Sequence, residues 1–185
     1  MARVYTKRAG KDYPQHGIAK GDTYYEWAFF RQKPRKSRTP PTRAMLTQNE
    51  FLSEVYDTFD ADLPAITDAE SLREVAQRIR DAGEELQSRF DDLPEGFQQG
   101  ETGQRMQERA DAASECADEM ESATDELETE LACIDAWEDY ARREAEDELQ
   151  EDEDEPDGER PEDFDQARQD ALEAAREACS EGDWD

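Results

Sequence analysis

Residues Gly21 to Pro41 read GDTYYEWAFFRQKPRKSRTPP: five aromatic side chains in seven positions, followed by a strongly basic run. Arginine and lysine neutralise phosphates, and exposed aromatic rings stack on nucleobases. Lys7, Arg8, Lys11, Lys20, Arg31, Lys33, Arg35, Lys36, Arg38 and Arg43, beside Tyr24, Tyr25, Trp27 and Phe29, therefore form a candidate surface for nucleic acid or a partner protein. A second use competes for the rings. In an extended strand Tyr25, Trp27 and Phe29 share one face and would pack on the helix that follows. Packing does not account for the cations.

The second set of chemistry-bearing residues is acidic: Glu115, Asp118, Glu119, Glu121, Asp125, Glu126, Glu128 and Glu130. They fall inside a long helical pattern, where carboxylates keep fixed spacings. Such a rod repeats negative charge at intervals comparable to a phosphate backbone, so a protein that grips nucleic acid could be decoyed by it. The plainer reading is the solvated face of an acidic coiled coil.

Catalytic arrangements are absent from the sequence. His16 is the single histidine and lies among Gly and Pro, so no nucleophile–base pair assembles around it. Cys116, Cys133 and Cys179 lack metal-ligand spacing, and the first two sit on or beside a helical seam as buried thiols. The run EDEDE has no calcium-loop glycine. Neither a phosphate loop nor a dinucleotide fingerprint occurs. The expectation is a non-enzymatic protein with no cofactor and no metal.

Charge divides the chain. Residues 1–45 hold 11 Lys and Arg against 3 Asp and Glu, and residues 46–185 hold 11 against 48, so +8 and −37 sum to −29. Apolar residues make up 35% and charged residues 39%, against about 45–50% and about 25% in ordinary soluble domains. So thin an apolar complement favours elongated helices, each needing one buried stripe. The asymmetry points to a basic protein partner for the arm, with nucleic acid possible through residues 1–45. Two further uses of the charge stand beside these: the head folding back on the arm as its counter-ion, and halophilic adaptation, which few lysines relative to arginines would fit. An odd cysteine count without a disulfide framework, no apolar leader and no membrane-length segment predict a cytoplasmic protein that does not enter membranes.

The elements that must position these residues follow from periodicity. Thr23 to Arg31 alternates as a strand, QKPRK turns, and SRTPP returns, giving a small β-hairpin head over 1–45, with Val4–Thr6 a possible extra strand. Thr47 with Glu50, and Leu46 with Phe51, have capping-box and staple spacing for a helix over 48–59. Thr67 to Glu70 opens a second helix with the stripe Leu72, Val75, Ala76, Ile79, Ala82, Leu86 and Phe90. After a Pro/Gly loop at 92–103, Met106, Ala110, Ala113, Ala117, Met120, Thr124, Leu127, Leu131 and Ile134 form a heptad seam in a helix over 103–150. These two helices pair as an antiparallel hairpin. The far half of the longer one must meet the head, the last helix, or a second copy, which leaves a homo-oligomer through 103–149 open. An acidic, disordered linker over 150–163, a short helix from Phe164 to Ser180, and an acidic tip with one exposed aromatic complete the chain. The fold class is mainly α: an elongated helical hairpin or coiled coil over 46–149, an N-terminal β-hairpin and an acidic C-terminal tail.

KGDTYYEWAFFRQKPRKSRTPP followed by LTQNEFL, and later LPEGFQQGETG opening a helix, resemble small proteins of unassigned activity encoded in phage and prophage regions. The resemblance spans residues 1–115, and the acidic tail has no counterpart in it. It implies a phage accessory protein acting in the host cytoplasm. Three functions are then open: an acidic arm that binds a basic partner, as a nucleic-acid mimic in one version; a nucleic-acid-binding head; or a structural coiled-coil component of a virion or assembly.

Overall fold

In the computed structural model, residues 2–146, 155–179 and 184 are described. The chain is mainly α and divides into two units, residues 1–62 with Trp184, and the helical remainder from Leu63.

In the first unit β1 (Arg3–Arg8), β2 (Thr23–Ala28) and β3 (Arg35–Ser37) form an antiparallel sheet in chain order. A hairpin is present as alternation predicts, but its return strand is Arg35–Ser37, which begins inside the expected turn, and not SRTPP: the pairing of Trp27 with Arg35 closes a shorter connection. β1 pairs along the other edge of the central strand, with Val4 opposite Trp27 and Lys7 opposite Tyr24. A third strand supplies partners that a two-stranded ribbon lacks. The alternation buries a ring on each face. Tyr24 closes a cluster with Ala9, Ile18 and Tyr13, while Trp27, 4% exposed, donates from Nε1 to the Met45 carbonyl at 3.1 Å. A 3₁₀ turn at Ala44–Leu46 and α1 (Glu50–Asp57) continue this unit past the expected boundary at residue 45.

The cap of α1 differs from the sequence expectation. Asn49 Oδ1 accepts from the Leu52 N–H at 3.1 Å, and Thr47 Oγ1 accepts from the Asn49 N–H at 3.2 Å instead. Both types can cap, and the residue whose backbone is extended immediately before the first turn takes the role. Phe51, Val55 and Tyr56 form the buried face of α1. Trp184, expected as an exposed aromatic, is 3% exposed and belongs to this unit. Its ring meets Phe51 edge-on at 5.8 Å and Phe59 at 6.4 Å, geometry that aromatic quadrupoles favour.

In the second unit, the cap of α2 (Ala69–Asp91) lies one residue later than expected. Asp68 accepts from the Ser71 N–H at 2.7 Å and Ser71 Oγ reaches back to the Asp68 N–H, so the capping box is Asp68–Ser71 and not Thr67–Glu70. A four-residue helix, α3 (Glu95–Gln98), lies within the expected loop. Then α4 (Glu101–Ala145) runs 45 residues without a break. Gly103 sits so close to the preceding turn that a Cβ would come within 2.6 Å of the Phe97 carbonyl oxygen.

α2 packs antiparallel on α4, as the paired arginines show: Arg73 meets Glu128, and Arg80 meets Asp118 and Glu121. The seam is buried at Ala110, Ala113, Ala117, Met120, Thr124, Leu127 and Ile134. Thr124 is tolerated there because its hydroxyl donates to the Met120 carbonyl at 2.8 Å. The far half of α4 is covered by α5 (Phe164–Ala178), through Arg168 to Asp135 and Glu138. Ala171 and Ala175 give α5 its buried stripe, which Cys179 continues at the C-cap.

Of the linker expected at 150–163, residues 150–154 lie outside the described residues, and the rest is not a free tether. The Asp157 carbonyl accepts from Cys133 Sγ at 3.0 Å and Trp137 Nε1 at 3.2 Å, and Arg160 pairs with Glu144 at 2.9 Å. Acidic composition predicts disorder only while no donors face the segment, and here α4 supplies them.

Candidate polyanion and partner-binding surfaces

The sheet sorts the head's cations. On one face Glu26 stands opposite Tyr5 and Lys36, one register step from Lys7. Its carboxylate takes Lys7 and, at 3.7 Å, Lys36, whose ammonium also lies 3.9 Å from the Tyr13 ring centroid. The Lys7 hydrogen bond, with Lys36 adding to it, holds the Glu26 carboxyl below its usual range, against the burial that pushes it up. A depressed carboxyl contributes stability that is present above the unfolded value, about 4.3, and lost as pH falls through the folded one. The melting temperature of the head is therefore expected to drop more steeply below pH about 4.3 in the wild type than in Glu26→Gln. Equal slopes in the two proteins would remove Glu26 as the cause.

Three members of the expected aromatic surface are structural. Tyr24 and Trp27 are buried on opposite faces of the sheet, and Tyr25 is half-buried on the Trp27 face. Arg43 pairs with Asp60 at 2.6 Å and lies over the Tyr56 ring. Arg8 donates to the Gly21 carbonyl. Arg31, Lys33 and Arg35 lie at the β2–β3 connection, and Arg38 just past β3. Phe29 is half-buried under Arg35, 5.5 Å from ring centroid to guanidinium carbon. Phe30 is 84% exposed, with the Arg31 guanidinium 4.9 Å from its centroid. Arg31, Lys33, Arg35 and Arg38 pair with no carboxylate among the described residues. Lys11 and Lys20 lie in the loop after β1, where Lys11 faces the Tyr13 ring and the Lys20 N–H bonds Asp12.

Sequence reasoning named Phe29 and Arg31 but not Phe30, the most exposed ring. The signal available was a doubled aromatic immediately before a turn, where alternation stops deciding which face a side chain takes.

On α4, residues 111–141 contain twelve Asp or Glu and no Lys or Arg. At a rise of about 1.5 Å per residue this is roughly one carboxylate per 3.9 Å of axis, near the value of about 3.4 Å for one DNA strand. Part of that charge is answered within the fold. Asp118 and Glu121 face Arg80, Glu128 faces Arg73, and Asp135 and Glu138 face Arg168, whose guanidinium they hold more firmly protonated than usual. Glu115, Asp125, Glu126 and Glu130 are exposed and pair with no described cation. Glu115, Glu126 and Glu130 are spaced eleven and four residues apart, a single outward stripe.

None of the three cysteines is in a disulfide. Cys179 is buried, donates to the Ala175 carbonyl, and is pushed up to about 11 by burial and then by Glu119. That is the environment of an inert thiol. Among the described residues no group of three or more His, Cys, Asp or Glu side chains is placed to hold a metal ion, and no helix is long and apolar enough to cross a membrane. What the geometry offers is two charged surfaces on a mainly α protein with a small antiparallel sheet. No family model, curated protein or solved structure matches the chain.

Proposed function

We propose that this is a non-enzymatic phage accessory protein whose helical arm binds a basic, nucleic-acid-handling protein by imitating the charge of a nucleic-acid strand. One observation supports the reading most: a single uninterrupted helix carries the acidic run, with an outward stripe that the three internal arginines leave unanswered. Rigid presentation matters because carboxylates on a disordered chain hold no pattern, whereas a rigid array can complement fixed cationic sites and steer encounter. A cytoplasmic setting and an anti-defence role would follow from the phage resemblance.

The test is capture of nuclease-treated partners by the full-length protein, repeated with Glu115→Gln/Asp125→Asn/Glu126→Gln/Glu130→Gln. These side chains support no described ion pair, so the fold should persist. A basic protein that survives nuclease, is displaced by duplex DNA and is lost with the variant is the expected result. Partners bound equally by the variant would refute the arm as the working surface. A chain that elutes as a stable oligomer with nothing else bound would favour the structural role.

A further inference from the structure

We infer that the β2–β3 connection, Phe29 to Arg35, is a separate binding site for single-stranded nucleic acid, with Phe30 as a stacking platform. Three features converge on this loop. Phe30 is 84% exposed, although nothing in the packing of the head requires an aromatic there. Arg31 adopts φ 61°, the single non-glycine residue with positive φ among the described residues. The turn is closed by the Gln32 N–H on the Phe29 carbonyl at 3.0 Å. A left-handed arginine costs about 1 kcal/mol relative to glycine, and such costs concentrate at sites that use the side chain. Here the turn places the Arg31 guanidinium 4.9 Å from the Phe30 centroid.

The surroundings select the ligand. From Trp27 to Asn49 the chain has six Lys or Arg and no Asp or Glu, so the charge complement is a polyanion. Lys33, Arg35 and Arg38 are exposed within eight residues of Phe30 along the chain and have no described carboxylate partner. A ring this exposed can stack on a base only if that base is free of its own stack. That favours a single strand over a duplex.

The experiment uses full-length protein and a fluorescein-labelled twenty-nucleotide oligo-dT, followed by anisotropy at 50, 100 and 200 mM NaCl. Wild type should bind with affinity that falls as salt rises. Phe30→Ala should weaken binding roughly tenfold, and Phe30→Trp should restore it. Lys33→Gln/Arg35→Gln should flatten the slope of log affinity on log salt by about 1.4, from two lost phosphate contacts. Binding that Phe30→Ala leaves unchanged, or a duplex of the same length bound as tightly, would overturn the assignment. So would no binding at 50 mM. Arm variants should leave the oligonucleotide affinity intact, which keeps failure here distinct from failure of the partner-binding role.

Discussion

Trp27→Ala is expected to destabilise the N-terminal unit by about 3–5 kcal/mol, the range for deleting a buried large aromatic. The magnitude follows from position. Trp27 is on the central strand, opposite Val4 on one side and Arg35 on the other, and almost wholly buried. Its indole N–H ties β2 to the Met45 carbonyl, and the Ala2 N–H bonds the neighbouring Leu46 carbonyl at 2.8 Å. Removing the ring opens a cavity at this junction and leaves the Met45 carbonyl without its donor. Trp27→Phe keeps most of the apolar area and loses the hydrogen bond, so its cost should be smaller, about 1 kcal/mol from that bond. Two native indoles report the outcome. Trp184 packs on Phe51 and Phe59 within the same unit, and Trp137 is buried in the helical unit. In urea, the Trp184 indole signal of Trp27→Ala should move at a lower midpoint than in wild type. If it holds its midpoint, Trp27 is not the keystone of the head.

The second large effect is expected at Gly83. A Cβ there would stand 2.8 Å from Ala113 Cβ and 3.4 Å from the Ala110 carbonyl oxygen. Neither neighbour can swing away, because one is attached directly to the backbone of α4 and the other is backbone. Gly83→Val must therefore push α2 off α4 at this close approach. Overpacking of this kind costs about 1–3 kcal/mol, and the helix propensity gained over glycine, about 0.4 kcal/mol, offsets little of it. Pairing it with Ala113→Gly vacates the contested space, so the double variant should recover part of the loss, a non-additivity expected of touching residues. Urea unfolding followed at Trp137 measures all three proteins. A Val variant as stable as wild type would mean that the helices do not need this approach.

The carboxylate clusters should weigh less on stability than on binding. Arg73, Arg80 and Arg168 each bridge α4 to a neighbour, yet their partners are half or more exposed, and exposed pairs contribute little individually. Their value is in setting which carboxylates remain outward.

Much of this arrangement is legible in local sequence. Residues that repeat every three or four positions must share a helix face, so the stripes of α2 and α4, their antiparallel pairing and the helix at Phe164 follow from spacing alone. The charge division between head and arm is likewise a property of composition. Capping was harder to read, because Thr47, Asn49, Thr67 and Asp68 are all competent acceptors, and only the backbone conformation at each shows which one caps.

Tertiary structure alone decided the rest. β1 depends on hydrogen bonds to residues some twenty positions away. The burial of Trp184 depends on rings more than a hundred positions away. The sorting of cations into paired and unpaired depends on which carboxylates folding brings near, so Lys36 meets Glu26 and Arg43 meets Asp60 while Arg31 and Lys33 meet none among the described residues. Periodicity reports which face of an element a residue takes. It carries no information about what arrives opposite that face, and the candidate surfaces of this protein are defined by what does not arrive.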